Sequence, residues 1–119
     1  VLDIRRGDGP KECFNYTMAS LAVTDDFLAR RPDDARRAVT AMEDTHAALK
    51  SDVSLAAEVG RKVFPEREAS LIAALIERDL PYYSTEITPD FVAAMNEFAR
   101  ERSILKGAPT FSEVVAALR

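Results

Sequence analysis

The sequence predicts an α-rich α/β chain of five or six helices, with one or two short strands at its N-terminal end. Three observations carry this expectation. From about residue 25 onward, apolar residues recur at spacings of three and four, the period of a helix with one buried face. Pro32, Pro65 and Pro89 are each followed directly by an acid, which suits the first turn of a helix and the positive end of its dipole. Before residue 24 the pattern instead alternates, as a half-buried strand does.

In order, VLDIRR alternates Leu2 and Ile4 against Asp3 and Arg5, a short strand pattern, and Gly7, Gly9 and Pro10 then break it as a turn. From Phe14 to Val23 the residues are aromatic, β-branched or small. Phe14, Tyr16, Met18 and Ser20 share one parity, which suits a second, buried strand. The period then becomes helical. Thr24 caps a one-turn helix that opens with Asp25 and Asp26, and Pro32 starts a long helix to about Lys50, with Ala35, Val39, Met42, His46 and Leu49 in one stripe.

Ser51 and Asp52 signal a restart, and Val53, Ala56, Val59 and Val63 mark a third, shorter helix. Gly60 weakens its middle by up to about 1 kcal/mol relative to alanine, unless it permits a neighbouring helix to come close. Pro65 opens the most hydrophobic helix, whose apolar face reads Leu71, Ile72, Leu75, Ile76 and Leu80; Pro81 stops it, and Tyr82 and Tyr83 are expected to anchor the turn on the core. Thr88, Pro89 and Asp90 start the next helix, with Phe91, Met95, Phe98, Arg102 and Leu105 on its inner side and Arg102 laid along it by its aliphatic stem. Gly107 and Pro109 end that helix. Thr110 and Glu113 have capping-box spacing before a last helix of about two turns. The helices led by Pro32, Pro65 and Pro89 are expected to form the core, with neighbours antiparallel because the connections are short.

The chain has 119 residues, enough for one core, and its 47% hydrophobic and 30% charged residues are ordinary for a globular protein. The net charge of -4 argues against a general nucleic-acid surface, because the Arg5-Arg6, Arg30-Arg31 and Arg36-Arg37 pairs each stand beside acids and read as solvated faces. Cys13 is the single cysteine, so no intramolecular disulfide forms. No apolar run is long enough to span a membrane, and no signal-peptide pattern is present. Among catalytic motifs, no nucleophile elbow, phosphate loop, dinucleotide fingerprint or zinc spacing occurs. The single histidine, His46, reads as a partly buried, hydrogen-bonded packing residue, and the Asp25-Asp26 and Asp33-Asp34 pairs read as helix starts.

The words YTMASLAVTDDFLARRPDDARRAV, KSDVSLAAEVGRKVFP and LPYYSTEITPDF, in that order, resemble the C-terminal part of ABC-transporter solute-binding proteins of the nitrate, sulfonate and taurine type. The resemblance covers nearly the whole chain and implies the C-terminal segment of a type II periplasmic-binding-protein fold. Residues 1-23 would then be a hinge return and a strand, and residues 24-119 a helical region, together one domain or a fragment of a longer protein. It implies capture of a small polar or anionic solute for an ABC permease, in the periplasm or at the outer face of the membrane, without enzymatic activity or cofactor. By position in the family pattern, Arg5 and Arg6 at the hinge approach and Asn15, Tyr16 and Thr17 at the strand entry are the ligand-binding candidates. The fungal thiamin-pyrimidine synthases share the broad superfamily, but their cysteine-rich signature is not in this sequence. A stand-alone helical interaction module is the alternative reading. In a fragment, unpaired strand edges would favour a homodimer.

Overall fold

The computed structural model of the chain describes Asp3, residues 7–9 and residues 20–118. Six α-helices occur among them: α1 (Asp25–Arg30), α2 (Pro32–Ser51), α3 (Ser54–Val63), α4 (Glu66–Asp79), α5 (Pro89–Glu101) and α6 (Phe111–Val114). A 3-10 turn, Leu80–Tyr82, follows α4. The α-rich expectation therefore holds. The strand expected at Leu2 to Arg6, and residues 14–19 of the second one, lie outside the described residues apart from Asp3. Ser20 to Val23 are described and form no strand. Leu21 is 55% and Val23 49% exposed, so the alternation there has no buried side to serve and no ladder to join.

The helix starts follow the sequence closely. Thr24 Oγ1 accepts a hydrogen bond from the Phe27 amide at 3.1 Å, and Thr88 Oγ1 accepts one from Phe91 at 3.2 Å, each satisfying an amide that has no partner within its helix. Asp25 and Asp26 occupy the first turn of α1, and Asp33 and Asp34 that of α2. Arg5 and Arg6 lie outside the described residues; in the other two arginine pairs Arg30 meets Asp26, Arg36 meets Asp33 and Arg37 meets Asp34, each about one turn away on exposed surface.

By its contacts the chain divides into two compact units, one of Val1–Pro32 with Glu86–Arg119 and one of Asp33–Thr85. In the second unit, α3 and α4 pack side by side after the two-residue turn Phe64-Pro65. Gly60 explains how close they come: a β-carbon built there would stand 3.3 Å from the Ala69 β-carbon, nearer than such atoms ordinarily pack. Ala56, Gly60 and Ala69 are buried at this contact, so its floor is made of small residues. The permissive reading of Gly60 is the one realised. The α3 stripe accordingly turns away from Val59 and Val63, which are 56% and 66% exposed.

In the first unit, Asn96 Nδ2 donates to the Pro109 carbonyl at 2.7 Å and ties α5 to the segment before α6. That bond fixes which side of α5 faces inward. Val92 is buried and Asn96 and Ala99 are half-buried, whereas Met95 and Phe98 of the expected stripe are exposed, so the inner face is turned by about one residue. Arg102 does lie along the helix, with its guanidinium 5.7 Å from the centre of the Phe98 ring.

Helix α5 also stops before Gly107. Ser103 takes the left-handed conformation, φ 57, with its amide donating to Arg100 O at 2.9 Å and the Ile104 amide to Ala99 O at 2.8 Å. Those two bonds make a Schellman motif with serine in the usual glycine place. The Thr110–Glu113 capping box forms, but α6 is one turn, because Val115 is already extended.

The core corrects the sequence in one further respect. Among the described residues the buried apolar side chains are Ala35, Ala56, Ala69 and Val92, none larger than valine. Leu71 is 62% and Leu75 40% exposed, and Tyr82 and Tyr83 are likewise exposed instead of anchoring the turn. Within the unit Asp33–Thr85, the helices led by Pro32 and Pro65 bury only the alanines Ala35 and Ala69 among their described residues.

Candidate functional site

Arg5, Arg6, Asn15, Tyr16 and Thr17, the residues assigned to ligand from sequence, lie outside the described residues. Asp3 and Asp8, on either side of the first two in sequence, are joined by two hydrogen bonds. The Asp3 amide donates to Asp8 Oδ2 at 3.1 Å and the Asp8 amide donates to Asp3 O at 3.2 Å. Gly7 and Gly9 have φ of 88 and 131, values that favour glycine, so the break read at these two residues is built into the backbone.

A concave surface of the unit Asp33–Thr85 lies where α2 gives way to α3. The Asp52 amide still donates to Ala48 O at 2.8 Å, but Asp52 Oδ1 accepts from Ser54 Oγ at 2.6 Å and from the Ser54 amide at 3.0 Å. These bonds, the side-chain one foremost, hold the Asp52 carboxyl below its ordinary range and restart the helix after a break. Beside the break, Leu49, Lys50, Ser51, Val53, Glu77, Leu80 and Pro81 line a groove of about 380 Å³ open to solvent. A neighbouring groove of about 420 Å³ runs between α3 and α4 over Ala57, Ser70, Ala73 and Ala74, and shares Val53 and Glu77 with the first. The pairing of the start of α3 with the end of α4 along this groove shows that the two helices run antiparallel.

Both grooves are lined mainly by apolar residues together with serines, with Lys50 and Glu77 in the first and Glu77 alone in the second as charged lining residues. Lys50 and Glu77 supply one cation and one carboxylate. Sequence reading did not single out these two residues, since a lysine in the last turn of α2 is accounted for by the helix dipole alone. Among the described residues no three histidine, cysteine, aspartate or glutamate side chains converge as a metal site. His46 lines neither groove. Its ring is half-buried, as expected for a packing residue, but Nε2 is sealed from solvent and has no hydrogen-bond partner among the described residues, contrary to the expectation. No described helix is long and apolar enough to cross a membrane. No family model matches the chain, and no curated protein or solved structure does.

Proposed function

We propose that the chain is the C-terminal part of a solute-binding protein of the nitrate, sulfonate and taurine type. Such a protein captures a small polar or anionic solute outside the cytoplasm and delivers it to an ABC permease, with no chemical step. The observation that carries the reading is the ordered wording from Tyr16 through Phe91, in which a Thr24-capped short helix, a Pro32-led long helix, a Pro65-led helix and a Thr88-Pro89 start follow in the family's sequence. The described helices supply support of a physical kind. Val59, Val63, Leu71 and Leu75 are exposed and apolar, as expected of helices that cover a lobe whose other elements come from elsewhere in the chain. The ligand-contacting residues of this piece would be Arg5, Arg6, Asn15, Tyr16 and Thr17, and the rest would come from the part of the protein that forms the other side of the cleft.

Titration calorimetry of the whole gene product against nitrate, taurine, alkanesulfonates and a thiamin pyrimidine tests this directly. Binding of one of them by the whole protein, weakened by Arg5→Ala or Tyr16→Phe, is the expected result. A second reading, a self-contained helical interaction module, draws on the same exposed apolar residues. It would be favoured if the whole protein bound none of these solutes while the 119-residue chain formed a stable complex with another protein.

A further inference from the structure

We draw no further inference here: the strongest candidate, the exposed apolar side of the α3–α4 pair at Val59, Val63, Leu71 and Leu75, carries nothing because nothing in the structure shows what covers it.

Discussion

Ser103 shows how a single residue can sit against its own preference. In the left-handed region a non-glycine residue crowds its β-carbon against the following carbonyl, at a cost of about 1–2 kcal/mol. The Schellman bonds from Ser103 and Ile104 hold it there, although Ile104 is 74% exposed and adds little of the apolar contact that usually accompanies the motif. Ser103→Gly is therefore expected to stabilise the chain by about 0.5–1 kcal/mol, read as a higher urea midpoint at unchanged slope; a lower midpoint would show that the serine side chain contributes to the turn. Glu113 is a second such residue. Its Oε2 accepts from the Thr110 amide at 2.6 Å and from Thr110 Oγ1 at 2.8 Å, and these bonds, the backbone one first, lower its carboxyl from the ordinary 4.5. A lowered folded pKa contributes stability that is present above the unfolded value and is lost as pH falls through the folded one. The stability gap between the native chain and Glu113→Gln should thus be open at pH 7 and close below about pH 4.5. A gap that stays constant down to pH 3 would remove Glu113 from the acid response.

At the scale of elements, starts were legible in the sequence and faces were not. Thr24, Thr88 and the Thr110–Glu113 box are local, since a side chain and an amide three residues away decide the outcome without help from the rest of the chain. Which side of a helix is buried depends on what it meets. The α4 face written Leu71, Ile72, Leu75, Ile76, Leu80 is wide enough for several neighbours, and α3 meets it through Ala69, leaving Leu71 and Leu75 outside. The Asn96–Pro109 bond turns α5 in the same way, and no periodicity announces a single side-chain bond across thirteen residues. Of the assigned ligand residues, all five rest on family position alone, because isolated arginines, an asparagine, a tyrosine and a threonine carry no motif that reads a ligand. Two substitutions probe the α3–α4 contact. Gly60→Leu places a branched side chain where even a β-carbon is tight, so a loss of about 1–3 kcal/mol is expected, whereas a neutral result would mean that the two helices do not approach at Ala69. Leu75→Ala, which would cost about 2–5 kcal/mol at a fully buried site, should cost about 1–2 kcal/mol at 40% exposure.

For the molecule as a whole, stability turns on how little apolar bulk the described residues bury. Alanines and one valine contribute little transfer free energy, and ordering each residue of the chain costs about 1–2 kcal/mol of backbone entropy. Large apolar side chains that could offset this cost stand in water: Leu21, Val63, Leu71 and Ile104 are each more than half exposed. A chain in that condition gains by covering those residues, whether with the rest of a longer protein or with a second copy of itself. The 119-residue chain alone is therefore expected to self-associate as its concentration rises and to melt over a broad range, whereas a longer protein that contains it, as proposed above, is expected to stay monomeric and unfold cooperatively. Sedimentation equilibrium and calorimetry on both proteins separate the outcomes. A 119-residue chain that remains monomeric, unfolds sharply and binds a small solute with micromolar affinity would identify it as a complete binding module and overturn the proposal that it is one part of a two-lobed receptor.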